Sequence, residues 1–147
     1  MTAVIIPAAL RDVILAEARA AAPRECCGLL EGTDETGAIV ITMVHPAHNL
    51  AAQPDRFEID PADHFQILRE ACERGSRIVG CYHSHPDGRP EPSLRDRDGA
   101  AETGFIWLIA TTGMAAEIEA YVFDGRGFSQ RPLSIGGSLD PVRALRV

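Results

Sequence analysis

The sequence predicts an α/β domain in which a mixed central β-sheet is flanked by helices. Three observations predict it: helix-period and strand-type segments interleave early in the chain, a run of short strands follows, and one strand is apolar on both faces. The 147 residues fit one domain spanning 1–147. At that length a chain buries roughly 68–70% of its unfolded surface, and the 46% of hydrophobic residues supply a core without disulfide staples.

Residues 3–6 read as a short strand. From Pro7, a favourable first helical position, Leu10, Val13, Ile14 and Ala18 recur at helical spacing, so a helix runs to about Ala22 and stops at Pro23. Residues 26–30 form an apolar run of buried-strand type, and the polar stretch 34–37 turns the chain into a strand over 38–44. There Ile39, Ile41 and Met43 share one side, with Val40 and Val44 on the other. Residues 45–56 hold two prolines, two histidines and little periodicity, which predicts a loop of about a dozen residues. Residues 56–60 alternate like a short strand. Asp60 followed by Pro61 is a helix start, Phe65, Leu68 and Cys72 fall on one stripe, and Gly75 ends the helix. A strong strand follows at 77–82, then a proline-rich loop, a short helix from about Ser93 and the most apolar strand, 105–110. Strands at 117–123 and 128–133 flank a hairpin turn at 124–127, and residues 134–147 read as an irregular tail.

Charge removes several function classes. The 21 acids against 14 basic residues give a net charge of -7, which repels a phosphate backbone, so nucleic acid is not an expected partner. Every basic residue is Arg; without Lys there is no Schiff-base lysine and no Walker P-loop. No apolar stretch approaches a membrane span, and residues 1–7 lack a secretory signal's basic start, which makes the cytoplasm the expected compartment. Cysteines 26, 27, 72 and 81 include no C-x-x-C pair and read as small buried hydrophobes.

The informative segment runs from Cys81 to Asp96. His83 and His85 sit at i, i+2 where a buried strand ends, and in extended chain such side chains point to one side about 6.6 Å apart. Two imidazoles so placed converge on one ion, whereas a helix would aim them apart. Asp96 follows His85 after ten intervening residues, across a loop stiffened by Pro86, Pro90 and Pro92. Two imidazoles and one carboxylate suit Zn2+ and leave a fourth tetrahedral position for water, the style of a catalytic site. Spacing alone leaves a plainer reading open, in which the histidines are solvated and 93–96 is a capping box with Asp at its third position. His45 and His48 sit in an irregular loop with no carboxylate at ligand spacing and His64 lies inside a helix, so all three read as surface or packing residues. The H-x-E and P-C-x-x-C elements of zinc nucleoside deaminases are missing.

His83-Ser84-His85-Pro86, the ten-residue interval and Ser93-Leu94-Arg95-Asp96 resemble the signature of the JAMM (MPN+) metallopeptidases, and the upstream 23–32 segment resembles the one that carries their catalytic glutamate. Residues 49–65 and 78–80 are also similar to the compact bacterial members, so the likeness spans roughly 1–125. The resemblance implies a JAMM/MPN, cytidine-deaminase-like fold. It implies one zinc per chain held by His83, His85 and Asp96, with Glu25 as general base and Ser93 as donor to the developing oxyanion; Ser84 is left to loop hydrogen bonding. A glutamate ahead of a buried strand would be partly desolvated, which raises its pKa toward proton-shuttling range. The implied activity is peptidase or isopeptidase hydrolysis at the C-terminal tail of a ubiquitin-like protein. Because the chain is too short for the large insertions of eukaryotic deubiquitinating members, a sulfur-carrier protein ending in Gly-Gly is the expected substrate. A non-catalytic MPN interaction module is the alternative, but such relatives lack the ligand set that this chain keeps. The loop at 87–92 and the segment 49–57 are the candidates to guide a substrate.

Overall fold

The computed structural model describes residues 2–86 and 88–136. In chain order they form β1 (Ala3–Ile6), α1 (Ala8–Ala21), β2 (Cys27–Glu35), β3 (Ala38–Ala47), α2 (Pro61–Glu73), β4 (Arg77–His85), α3 (Leu94–Gly99), β5 (Ile106–Thr111), β6 (Ile118–Phe123), β7 (Phe128–Arg131) and β8 (Leu133–Ile135). One eight-stranded sheet takes the order β7-β6-β5-β4-β2-β3-β1-β8. The β1/β3, β1/β8 and β4/β5 pairs are parallel and the others antiparallel, so the sheet is mixed as the sequence predicts. Among the described residues no helix is long and apolar enough to cross a membrane.

Helices cover both faces. Ile14 and Ala18 of α1 pack into a cluster drawn from β1 through β6, including Ile6, Leu30, Ile41 and Leu108. On the opposite face, Ile67 of α2 meets Leu29, Cys81, Trp107, Ile109 and Tyr121. Truncating a buried aliphatic such as Ile67 to Ala would cost about 2–5 kcal/mol. The sheet is also strongly curled. Arg131 ends β7 at one edge and Leu133 begins β8 at the other, and two residues of chain span at most about 7 Å, so the two edges are drawn together.

Several boundaries differ from the expectation, each for a physical reason. Residues 45–47 continue β3, pairing with Cys27–Leu29, instead of opening a loop. Pro46 is tolerated there because β1 pairs only with Ala38–Val40 and leaves that side of β3 unpartnered, so its missing N–H breaks no ladder. Residues 56–60 form no strand; Ile59 makes a single bridge to Asn49. The buried face of α2 is Ile67 and Ala71, while Phe65, Leu68 and Cys72 are exposed. Cys72 is therefore not the buried hydrophobe it was read as, whereas Cys26, Cys27 and Cys81 are. Pro132 ends β7, and 133–135 pair with β1, so 134 and 135 are not part of the irregular tail they were read as; residues 137–147 lie outside those described.

Strand β4 extends through both histidines to His85 and lies between β2 and β5. Its antiparallel register with β2 sets Cys27 opposite His83 and Gly28 opposite Tyr82. A Cβ on Gly28 would stand 2.4 Å from the Tyr82 ring and from the His45 carbonyl oxygen. Only glycine lets β2 lie this close to β4, which brings the start of β2 beside the end of β4.

Candidate active site

At the end of β4, His83 and His85 point to one face, as alternation requires. Their Nε2 atoms are 3.0 Å apart. Asp96, in the first turn of α3, places Oδ2 3.1 Å from His83 Nε2 and 3.2 Å from His85 Nε2. The three predicted donors thus meet, although Asp96 comes from a separate element. Its orientation is fixed by the capping box: Ser93 Oγ accepts from the Asp96 N–H at 3.1 Å while the Ser93 N–H donates to Asp96 Oδ2 at 2.9 Å. The capping reading and the convergence are therefore both present in one structure.

The donor set fits a divalent cation. Donors bonded tetrahedrally at ~2.0–2.2 Å lie about 3.3–3.6 Å from one another, slightly beyond the observed separations of 3.0–3.2 Å. The His85 Nδ1–H must donate to the Arg89 carbonyl oxygen at 2.8 Å, because that oxygen can only accept, and this leaves the Nε2 lone pair facing its neighbours. The single proton on neutral His83 cannot bridge three such contacts at once. His83 Nδ1 is buried without a hydrogen-bond partner among the described residues.

The electrostatics agree. Burial alone would push the Asp96 carboxyl up, but hydrogen bonds from His83 and His85 outweigh it and hold the group far below the usual carboxylate range. Burial holds His83 below the ordinary histidine value, favouring the neutral imidazole that ligates metals. Burial also pushes the Cys26 thiol up to about 11 and Cys27 up to about 12, so neither is a ready nucleophile at neutral pH.

Glu25, 7% exposed, arrives from the segment before β2. A carboxylate oxygen of Glu25 and nitrogens of His83 and His85 all lie within 4.8 Å of one another, a group able to hold a metal ion. The segment is pinned to β4 by Ser84: its Oγ accepts from the Cys26 N–H at 2.8 Å, and its own N–H donates to the Cys26 carbonyl at 3.2 Å. Ser84 is fully buried within the strand, so its hydrogen bonding is not that of a loop.

Sequence reasoning missed the aromatic surroundings. Phe57 stacks on the His83 ring at a centroid separation of 4.4 Å and 21°, and the edge of Trp107 meets both rings. Reading 56–60 as a strand hid Phe57; its signal was an aromatic in an otherwise polar stretch. Two of the other histidines, His45 and His48, have carboxylate partners that are distant in sequence. His45 pairs with Glu31 at 2.8 Å, and His48 lies 2.8 Å from Asp63 in an exposed group that includes Asp60. Beside the centre a groove of about 1070 Å³ is floored by Leu29, Cys81, Phe105 and Trp107, with Leu68 and Asp96 on its rims. Residues 89–92 of the proposed guiding loop line a separate 530 Å³ cavity with Tyr121 and Phe128, while Asp87 lies outside the described residues.

Residues 7–124 match the family described as prokaryotic homologs of the JAB domain. A desampylase of Haloferax volcanii is 41% identical over 106 residues, which cover 69% of this chain and 75% of that one. Tail tip assembly protein K of Escherichia phage N15 is 33% identical over 101 residues, 68% of this chain but 37% of the phage protein. A protein of Desulfitobacterium hafniense solved in solution has the same fold, with a TM-score of 0.85 and 24% identity over 95% of this chain and 97% of that one.

Proposed function

This chain belongs to the prokaryotic JAB-domain family, within the JAMM/MPN group, and on that premise we propose that it is a zinc-dependent isopeptidase acting on conjugates or extensions of a ubiquitin-like protein. The observation that carries the reading is the meeting of His83, His85 and Asp96 at 3.0–3.2 Å beside Glu25. Family membership alone does not choose the substrate, since the same domain matches part of a phage tail protein. A likeness of 41% identity to a desampylase, over three quarters of that protein, favours the ubiquitin-like class.

His83, His85 and Asp96 would hold the ion. When bound, zinc polarises the scissile carbonyl and lowers the pKa of water to about 7. Glu25, buried and facing the imidazoles, takes the proton from the attacking water as the new C–O bond forms. It returns that proton to the leaving amine as the C–N bond breaks, so the carboxylate ends the cycle as it began. Ser93 uses a lone pair of Oγ for the Asp96 N–H, which leaves its hydroxyl proton to donate to the negative oxygen developing at the carbonyl. We assign the preferred substrate as a sulfur-carrier protein ending in Gly-Gly. The test is mass spectrometry of such a carrier, extended past Gly-Gly, after incubation with the zinc-loaded protein. Release of the extension by the wild type and not by Glu25→Gln is expected. An intact substrate alongside cleavage of a ubiquitin-like conjugate would overturn the sulfur-carrier assignment alone, and no cleavage of either would overturn the isopeptidase.

A further inference from the structure

We infer that Asn49 is a positioning residue that holds Glu25 in place against the imidazoles; the inference rests on the reading of Glu25 as the base. The ladder between β2 and β3 ends at the pair Cys27 and Ala47, so the Glu25 backbone lies beyond its last rung. Asn49, two residues past the end of β3, supplies the missing rung from its side chain: Nδ2 donates to the Glu25 carbonyl oxygen at 2.9 Å. The same Nδ2 donates to the Arg56 carbonyl at 3.0 Å, while Oδ1 accepts from the Ala51 and Glu58 N–H groups, each at 2.9 Å. All four hydrogen-bonding positions of the amide are used. Turning it over would set its NH2 against two N–H groups and its oxygen against two carbonyls, so the orientation follows from its partners.

The clamp has two ends. One grips the residue that would move the proton. The other fixes Arg56 and Glu58 on either side of Phe57, whose ring lies on His83. Arg24 adds a second tether between the same two stretches, donating to the Ala51 carbonyl at 2.6 Å and to Ala52 at 3.0 Å. With Ser84 holding Cys26 from β4, the Glu25 segment is gripped from both neighbouring strands. Asn49 is directed neither at the groove nor at the ion donors, so its effect on catalysis must pass through Glu25 and Phe57.

Asn49→Asp separates the two ends: it keeps acceptors for Ala51 and Glu58 but sets an acceptor against two carbonyl oxygens. Asn49→Ser is the second variant, able to keep the short turn to Ala51 but unable to reach residue 25, and it carries the test should the aspartate variant not fold. Zinc content, thermal midpoint and steady-state cleavage of the extended Gly-Gly carrier are measured for both, and for Glu25→Gln. The expected result is unchanged zinc content, a KM within about twofold and a kcat lowered about 10–100-fold, the usual scale for residues that orient a reactive group. In the Glu25→Gln background, Asn49→Ser should lower the residual rate no further. Wild-type kcat in a folded Asn49 variant, multiplicative losses in the double variant, or loss of zinc or fold in both variants would each overturn the inference. Full turnover by Glu25→Gln would instead overturn the assignment of the base itself.

Discussion

Glu25 and Glu31 stand six residues apart around the same strand, and both are buried. Glu31 faces charge: Arg74 donates to it, and His45 lies 2.8 Å from its carboxylate. Burial pushes its carboxyl up, but hydrogen bonds from Arg74, His45 and Ser76 outweigh that and hold it below the usual range. Glu25 instead faces two imidazoles beside an open groove. The difference teaches that burial of an acid is not itself a functional sign. The acid ion-paired with Arg74 is held charged and serves the fold, whereas under the function proposed above the one set against the imidazoles exchanges a proton.

That contrast can be broken or sharpened by experiment. The largest effect is expected from His83→Ala or His85→Ala: zinc by elemental analysis falls from about one per chain to nearly none. Hydrolysis then falls on the order of 10⁴-fold or more. Full zinc retention in both variants would remove the centre to which Glu25 owes its role. Next, Glu25→Gln should keep its zinc and its melting temperature while turnover drops about 10²–10⁴-fold. Ser93→Ala should lower kcat about 10²-fold and, through its lost cap, stability by about 1 kcal/mol, read by urea unfolding. Glu31→Gln should reverse the Glu25 pattern, with turnover within about twofold of wild type and stability down by about 1–3 kcal/mol. If the two glutamate variants exchange phenotypes, the contrast is wrong.

The smallest effect is in the pH dependence of stability. The folded Glu31 carboxyl lies below its unfolded value, so its contribution is complete above the ordinary glutamate range and is lost as pH falls through it. Urea midpoints between about pH 6 and pH 3 should decline less steeply for Glu31→Gln than for wild type. Equal slopes would mean that the Arg74 pairing does not outlast burial.

How much of this was legible in the sequence depends on distance along the chain. His83, His85 and Asp96 lie within one strand, loop and helix turn, so spacing and the period of two carry most of their geometry. The meeting of Glu25 with His83 depends on an antiparallel register in which Cys27 faces His83, and no local pattern encodes that; the family likeness supplied it. The α2 stripe was misread because Phe65, Leu68 and Cys72 have the same helical period as Ile67 and Ala71, and the choice of face is made by what packs against it. The extension of β3 through Pro46 was hidden because proline is permitted only on a strand's unpaired side, and pairing is a tertiary fact. Asn49 carried a turn-former's signal, but its four partners come from residues 25 to 58.

The short passage at Pro132, where the chain leaves one margin of the sheet and starts the other, also bears on behaviour at high concentration. Unpaired strand margins recruit other chains, and here β7 and β8 are four and three residues long, too short to serve as good templates. β1, itself four residues long, is sheltered between β3 and β8. Residues 133–135 contribute little apolar burial, yet cutting them away would unpair Val4, Ile5 and Ile6 and bring two fully buried side chains, Val4 and Ile6, to the margin of the sheet.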